Sequence, residues 1–482
     1  MALLIAAPCS GSGKTLVSLL LAAVARQRGL PLQTFKVGPD YLDPQLLASA
    51  SGRPCRNLDL LLCGAAWVRR SFGWWSRDVA LSLVEGVMGL YDGRGPSSEG
   101  SSAAVALELG LPVLLVVEAS RQAGSLAALV RGFRDHEPRL QLAGVVLNGV
   151  STPRHRQLLA EALAAIDVPL LGVLPRHEAL ELPSRHLGLL PPQELPDWPQ
   201  RLSQFAALAE QWLELDKLLP LLAPPVSAPG ALSPIAQALG GQPAAAAQTQ
   251  APNHGPNQGP VITIARDRAF HFCYPELPEW LEALGCRLAW WAPLEDQALP
   301  AGTAALVLPG GYPELHAAQL SQCQRSLGAL AEHCQQGRPL YAECGGLLLL
   351  GQELCDADGL SHPMAAVLPF RAQRGALSLG YREASPLGEG LVLRPGETLR
   401  GHEFHRWQLE ESGDAWRLEG WGVEPRLEGW SSPTLHASWL HLHWGGCPLV
   451  PQRLRDAAIL ASPAPSARSG WPGMSGCKSR DL

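Results

Sequence analysis

Positions 223–260 contain no Asp, Glu, Lys or Arg and consist mainly of Ala, Pro, Gln and Gly. Such a composition buries too little apolar surface to order itself, and it predicts a linker. On both sides of it, short apolar runs alternate with helix-length amphipathic segments. This alternation indicates two α/β domains, the first with a mostly parallel, doubly wound sheet.

The chain of 482 residues is too long for one ordinary core, which agrees with this division. The predicted parts are a first domain at 1–195, a partly helical and then low-complexity linker at 196–260, a second domain at 261–450, and a disordered tail at 451–482. The predicted strands are 3–7, 32–35, 79–84, 113–117, 143–147, 261–264, 305–308 and 339–342.

Charge and cysteine content exclude several classes of function. The net charge is -6, and no block of Lys and Arg could follow a phosphate backbone, so we expect no nucleic-acid partner. The apolar runs have the length of one strand, so we expect no membrane span. The start lacks a signal-peptide pattern, and the 11 cysteines include no CxxC pair. These features predict a cytoplasmic protein with reduced thiols and no zinc site.

The first predicted strand runs into Pro8-Cys9-Ser10-Gly11-Ser12-Gly13-Lys14-Thr15 and then into an apolar helix. A strand, a glycine loop and a helix form the setting of a P-loop, although Pro8 holds the position of the leading glycine. The predicted phosphate ligands are Gly11, Ser12, Gly13, Lys14 and Thr15. Glycine amides can approach the phosphates, the lysine can neutralise their oxygens, and the Thr15 hydroxyl can bind Mg²⁺.

Four acids follow other predicted strands of the first domain. Asp40 and Asp43 lie in a loop punctuated by Gly and Pro, Glu85 ends a strand, and Asp92 lies in a glycine-rich loop. Ligands bind at the carboxyl ends of parallel strands, and carboxylates suit Mg²⁺ on nucleotide phosphates. The alternative is that all four are solvated turn residues.

The second domain contains a candidate nucleophile, Cys344, in a strand-to-helix turn between Glu343 and Gly345. A sharp turn with small flanking residues exposes a nucleophile, and a nearby base allows the thiolate to form. A strand followed by Gly310 and Gly311 could turn an amide toward an oxyanion. With the Gly345 amide it would form an oxyanion hole. The alternative for the cysteine is an inert core thiol.

The base should be a histidine, and the sequence offers several. His441 and His443 would point to the same face of a strand, so spacing does not choose between them. His405 is a further candidate that could equally be structural or line a substrate pocket.

Together these residues resemble the cobyrinate a,c-diamide synthase family, glutamine-dependent amidotransferases of corrin biosynthesis. The resemblance extends from residue 3 to about residue 450. Its blocks are residues 10–15, 35–44, 52–54, 56–59, 84–93, 147–148, 151–155, 308–316, 342–346, 401–405 and 440–443.

The resemblance implies a fold and a set of roles. The fold is an N-terminal P-loop NTPase domain similar to deethiobiotin synthetase plus a C-terminal class I glutamine amidotransferase domain. His441 aligns with the family's histidine, and His443 stands where full triads have a Glu, so we expect a Cys344–His441 dyad without an acidic member.

For the first domain, the resemblance assigns carboxylate activation and Mg²⁺ to Asp40, Asp43, Glu85 and Asp92, with Thr15 and Glu85 as the metal ligands. Asn148 lies where related folds recognise adenine.

The implied reaction is amidation of the a- and c-acetates of cobyrinate through acyl phosphates, with ATP, Mg²⁺ and L-glutamine. A homodimer is the one macromolecular assembly left open. The closest alternative is the same chemistry on hydrogenobyrinate or nickel-sirohydrochlorin. A different alternative is a P-loop regulatory or partitioning ATPase with a degenerate glutaminase domain, against which the intact Cys344, Gly345 and His441 argue.

Overall fold

The computed structural model describes residues 2–185, 188–225, 232–240 and 259–461, and the rest of the predicted linker and tail lies outside them. The first half of the chain builds a seven-stranded sheet in the order β3-β2-β4-β1-β5-β6-β7. Its strands are β1 (Leu3–Ala6), β2 (Leu32–Val37), β3 (Arg56–Leu58), β4 (Leu81–Glu85), β5 (Val113–Glu118), β6 (Leu142–Asn148) and β7 (Leu170–Leu174). A short pair, β8 (Ser184–Arg185) and β9 (Gly188–Leu189), follows.

All pairings in the seven-stranded sheet are parallel. Parallel strands are covered on both faces, which explains why they appear in the sequence as continuous apolar runs. The helices of this half are α1 (Lys14–Gln27), α2 (Leu42–Ser51), α3 (Gly64–Trp75), α4 (Ser102–Leu109), α5 (Ser125–Asp135), α6 (Pro153–Ala164), α7 (Trp198–Trp212), α8 (Leu215–Leu221) and α9 (Pro234–Ala238). No helix of the described residues is long and apolar enough to span a membrane.

Helices α7 and α8 belong to the core of the first domain. Leu202, Phe205, Ala209 and Leu218 are buried with residues of β1 and α1 in one apolar cluster. The helical part of the expected linker therefore continues the first domain beyond residue 195.

The second half contains two larger sheets. The central one has the order β12-β10-β13-β15-β23-β22, parallel except for its last strand, and a mostly antiparallel sheet packs beside it. The strands are β10 (Val261–Ala265), β11 (Phe270–Phe272), β12 (Arg287–Trp291), β13 (Thr303–Leu308), β14 (Gly310–Gly311), β15 (Leu340–Glu343), β16 (Glu353–Cys355), β17 (Ser361–Pro363), β18 (Arg371–Pro386), β19 (Leu399–Leu409), β20 (Trp416–Gly420), β21 (Val423–Glu428), β22 (Trp430–Ser432) and β23 (Leu435–Ser438). The helices are α10 (Glu276–Ala283), α11 (Ala317–Leu320), α12 (Gln324–Gln335), α13 (Gly345–Leu348) and α14 (Leu449–Ala461).

Helix α14 corrects the prediction of a disordered tail from residue 451. Val450, Leu454 and Ala458, spaced four apart, form an apolar stripe that is buried in the core of the second domain. The prediction was therefore wrong for residues 451–461, and residues 462–482 lie outside the described part.

Candidate active sites

The glycine loop after β1 has the geometry of a phosphate site. Gly13 has φ +108°, a value that favours glycine, and it precedes the first residue of α1, Lys14. The Asn148 amide at the end of β6 donates to the Ser12 carbonyl over 3.1 Å. A Cβ on Gly13 would lie 2.7 Å from the nitrogen of this amide, so the loop and Asn148 are tightly packed.

The Lys14 ammonium is held by the glycine-rich loop that follows β4. Its Nζ donates to the Met88 carbonyl over 2.6 Å, and Met88 has φ +47°, which is strained for a residue with a side chain. Burial, and then the nearby Lys36 charge, lower the pKa of Lys14. Asp92 accepts from the Gly89 amide over 2.8 Å within the same loop. Asp92 therefore stabilises this loop, whereas the other three predicted acids form a separate group.

Those three acids surround a lysine, Lys36, that is not among the predicted site residues. Lys36, at 2% exposure, lies 2.6 Å from Asp43 Oδ2, 2.7 Å from Glu85 Oε1 and 3.7 Å from Asp40 Oδ2. The available signal was its place near the end of β2, with acids four and seven residues later. The structure thus gathers three carboxylates, and one buried cation compensates them.

The charges in this cluster are unequal. Burial and the Asp43 charge raise the pKa of Asp40 to about 7. Burial acts in the same direction on Asp43, but the ion pair with Lys36 outweighs it and lowers the pKa of that carboxyl. Asp43 therefore stays ionised, whereas Asp40 can exchange a proton near neutral pH.

Glu85 is fully buried, and burial raises its pKa. The Thr15 hydroxyl donates to Glu85 Oε1 over 2.9 Å, while Oε2 is buried without a hydrogen-bond partner. An unpaired carboxylate oxygen beside a hydroxyl suits a hard cation such as Mg²⁺. Within the described residues, no group of three or more His, Cys, Asp or Glu side chains forms a ready-made metal site.

In the second domain, Cys344 lies in a sharp turn between β15 and α13. Its φ of +45° and ψ of -104° are unusual for a non-glycine residue, and its amide donates to the Ser438 carbonyl over 2.8 Å. Such strain occurs where a nucleophile is held in place by its surroundings. Cys344 as a whole is 5% exposed, so the residue is buried.

The two residues predicted for the oxyanion hole lie together. Gly311, in the short strand β14, faces the start of α13, and a Cβ on Gly345 would lie 2.8 Å from the Gly311 nitrogen. Any side chain at 345 would therefore fill the space between these two backbone segments beside Cys344.

His441 lies beside Cys344. Its backbone exchanges hydrogen bonds with His402, over 2.9 and 3.0 Å, and its ring packs against Gly310, where a Cβ would collide with it. Burial disfavours the imidazolium, but a Cys344 thiolate and the Glu343 carboxylate outweigh burial and raise the pKa of His441 to about 10. The arrangement can hold a thiolate–imidazolium pair.

Glu343, which is not among the predicted site residues, is an acidic neighbour of His441. Its Oε2 lies 3.5 Å from His441 Nδ1, an ion-pair contact, and its Oε1 accepts from the Leu442 amide over 3.0 Å and from the Tyr341 hydroxyl. We expected a dyad without an acidic member; the structure places this carboxylate at ion-pair distance from the histidine, and its catalytic role stays a prediction. This carboxylate comes from the residue before the nucleophile.

The other candidate histidines have structural partners. Strand β23 ends at Ser438, so His441 and His443 do not share a strand face as expected. His443 lies 3.7 Å from Glu276 and 4.5 Å from the Tyr274 ring, and burial lowers its pKa. His405 donates from Nδ1 to the Trp407 carbonyl over 2.7 Å and stacks on another tryptophan ring.

The two sites meet at Tyr41, the residue after Asp40. Its ring centroid lies 5.1 Å from that of His441, 5.2 Å from Phe272 and 4.5 Å from Tyr274. Ion pairs from Arg56 to Glu276 and Glu279, at 3.3 and 2.7 Å, also join the domains. The carboxylate cluster and the cysteine site are thus separated by little more than one aromatic side chain.

Comparisons with known proteins agree with both halves. Residues 3–190 match the family model of the CobQ/CobB/MinD/ParA nucleotide binding domain, and residues 261–448 match that of the CobB/CobQ-like glutamine amidotransferase domain. A cobyrinate a,c-diamide synthase of Synechococcus sp. is 40% identical over 96% of this chain and 99% of that protein. One of Gloeobacter violaceus is 42% identical over 92% and 94%.

A hydrogenobyrinate a,c-diamide synthase of Streptomyces coelicolor is 40% identical, over 94% of this chain and 96% of that protein. Sequence identity of 40% that covers both domains shows to which family the chain belongs. The chain belongs to the cobyrinate and hydrogenobyrinate a,c-diamide synthase family of glutamine-dependent ligases.

Proposed function

We propose that the protein uses ATP and glutamine to convert the a- and c-acetate carboxylates of cobyrinate into amides. The observation that carries this proposal is the contact between the sites through Tyr41, whose ring packs on His441 while the preceding Asp40 belongs to the Lys36 cluster. Ammonia in water is mostly converted to unreactive ammonium, so a short path between the centre that releases it and the centre that activates a carboxylate favours the transfer.

In the glutaminase site, the Cys344 thiolate attacks the side-chain amide carbon of glutamine. The amides of Gly311 and Gly345 stabilise the negative oxygen that forms. The His441 imidazolium donates its proton to the leaving nitrogen, ammonia departs, and a γ-glutamyl thioester remains. The same histidine then takes a proton from water, which hydrolyses the thioester to glutamate and restores the thiolate.

In the synthetase site, a substrate acetate attacks the γ-phosphorus of ATP, and ADP leaves. The acyl phosphate then reacts with ammonia and releases phosphate, which is a far better leaving group than the oxygen of a free carboxylate. Lys14 exchanges its Met88 contact for the phosphate oxygens and offsets their charge. Asp40, which titrates near neutral pH, can accept the proton that ammonia loses.

Thr15 and Glu85 are the residues that we propose as ligands of Mg²⁺, on the strength of the unpaired Glu85 oxygen. When bound, this ion would neutralise the charge on the phosphates. We propose that Asn148 supports the nucleotide site in two ways: through its hydrogen bond to the phosphate loop and through a contact with adenine.

The alternative substrates are hydrogenobyrinate and nickel-sirohydrochlorin. The first of them is supported by the relatives, which include both cobyrinate and hydrogenobyrinate a,c-diamide synthases. The proposal includes a cytoplasmic location. It also leaves the protein free to act as a homodimer, a state that light scattering of the purified protein measures.

The deciding experiment incubates the pure protein with ATP, Mg²⁺, glutamine and one tetrapyrrole at a time, and counts the amides by mass spectrometry. We expect two amides on cobyrinate and little turnover of nickel-sirohydrochlorin. The absence of any amide on all three tetrapyrroles, with glutaminase activity intact, would refute the proposal.

A further inference from the structure

A cleft of about 1000 Å³ lies between the two domains. One wall is built by α1, α2 and α7 and the other by residues 264–279, and Asp40 and Tyr41 form part of its lining. The cleft therefore reaches the carboxylate cluster directly, and it is large enough for a macrocycle rather than a small acid.

Three arginines line this cleft: Arg26, Arg53 and Arg266. Among the described residues none of them forms an ion pair with a carboxylate. Arg26 donates to the Ser49 carbonyl over 2.9 Å, Arg53 donates to the Gln33 side chain over 3.3 Å, and Arg266 lies over a tryptophan ring. Their positive charges are available to a ligand.

The acids in the lining do not compensate these charges. Glu279 is bound to Arg56 by two hydrogen bonds of 2.7 and 2.9 Å, and Asp40 faces Lys36. The cleft thus carries an excess of positive charge that the protein itself does not use.

Helix α2 sets the distance between the reaction centre and two of these arginines, Arg26 and Arg53. Asp40 precedes this helix of 10 residues, whereas Arg53 follows it and Arg26 bonds to a carbonyl in its last turn. At 1.5 Å per residue the helix is about 15 Å long, which is comparable to the width of a tetrapyrrole with its side chains.

We propose that Arg26, Arg53 and Arg266 bind peripheral carboxylates of the tetrapyrrole while one of its acetates lies at Asp40. This inference rests on the proposed function and names the residues that select a polyacidic macrocycle. Guanidinium groups suit the task because they bind carboxylates in a bidentate manner and keep their charge at any working pH. Trp290, also in the lining and 45% exposed, offers apolar surface to the ring.

The test compares Arg26→Gln, Arg53→Gln, Arg266→Gln and the triple variant with Arg131→Gln, an exposed arginine of α5 outside the cleft. We expect each single variant to raise the KM for cobyrinate about five- to tenfold, and the triple variant to raise it about 100-fold or more. The KM for ATP and for glutamine should stay within about twofold, as should all values of Arg131→Gln. Arg53→Lys should recover part of the loss.

A second measurement uses the wild-type protein. Added KCl should raise the KM for cobyrinate, since salt screens charge pairs, and it should do so far less in the triple variant. Cobyrinate should quench tryptophan fluorescence without ATP or glutamine, and this titration measures its binding. The variants should bind it more weakly in the order in which their KM values rise.

An unchanged KM for cobyrinate in the triple variant, or an equal rise in the KM for ATP, would overturn the inference. So would a KM of the wild-type protein that does not respond to salt, a result that needs no variant to fold. If the wild-type protein amidates no tetrapyrrole, the proposed function fails instead, so the two failures are distinguishable.

Discussion

Replacing Glu343 by Gln removes one charge from the cysteine site and keeps the size of the side chain. The carboxylate lies 3.5 Å from His441 Nδ1, and both side chains are nearly buried, at 3% and 2% exposure. Coulomb's law with an effective dielectric constant of about 20 gives roughly 5 kcal/mol for unit charges at this distance. The neutral Gln side chain costs less to bury than the carboxylate, which offsets part of this energy. We therefore expect the transition state of glutamine hydrolysis to lose about 2–3 kcal/mol of stabilisation.

That loss corresponds to about a 30- to 150-fold lower kcat/KM for glutamine hydrolysis. It is measured as glutamate release, with Glu332→Gln, an exposed acid of α12, as the matched control. Since the carboxylate helps to raise the pKa of His441 to about 10, the alkaline limb of the pH profile should move to lower pH in the variant. Synthesis from ammonium salts should be unaffected, because the phosphate site is intact.

Two results would refute this reasoning. Glutaminase activity within about threefold of the wild type would mean that the carboxylate does not act on His441. Equal loss of the glutamine-driven and ammonium-driven reactions would mean that Glu343 serves the fold rather than the site.

Four further predictions concern the residues of the two sites and Glu428, a buried acid of β21 that accepts from the Ser438 hydroxyl. Cys344→Ala should lose glutamine-dependent amidation and retain ammonium-dependent amidation; loss of both, measured by mass spectrometry of the product, would contradict the division of labour. Lys14→Ala should lose synthesis from either nitrogen source while some glutaminase activity survives, and unimpaired synthesis would refute the phosphate-loop assignment. Lys36→Met leaves buried carboxylates without their cation, so stability should fall by about 3–5 kcal/mol and calorimetry should show a melting temperature lower by roughly 6–20 °C. Burial raises the pKa of Glu428 from 4.5 to about 7, so between these pH values the folded protein holds a proton that the unfolded protein releases. The free energy of unfolding therefore falls as the pH rises through this range, and the contribution is lost above about pH 7. Glu428→Gln should therefore melt higher than the wild type at about pH 8 and no higher at about pH 5.

The features that the sequence predicted well are those that depend on neighbouring residues. Strands buried on both faces appear as apolar runs, and the phosphate loop is a local motif between a strand and a helix, so both could be recognised along the chain. Lys36 could be recognised only in part, because Asp40 and Asp43 follow it along the chain but Glu85 is 49 residues away and reaches it through the pairing of β2 with β4. Helix α14 escaped prediction because its apolar stripe stands next to a segment whose composition suggested disorder.

The acid of the cysteine site, Glu343, also reaches its partner through the pairing of strands. A motif search looks for the acid two residues after the histidine, and that position holds His443, which contacts Glu276 beside Arg56. Parallel pairing of β15 with β23 aligns Glu343 with Ser438, so the residue before the nucleophile lies beside the segment that carries His441. The carboxylate is thus supplied from the neighbouring strand, a relation that register creates and spacing along the chain does not contain. Cys344 and its acid are therefore fixed by one strand end, and any shift of β15 against β23 would disturb the nucleophile and the support of the base together.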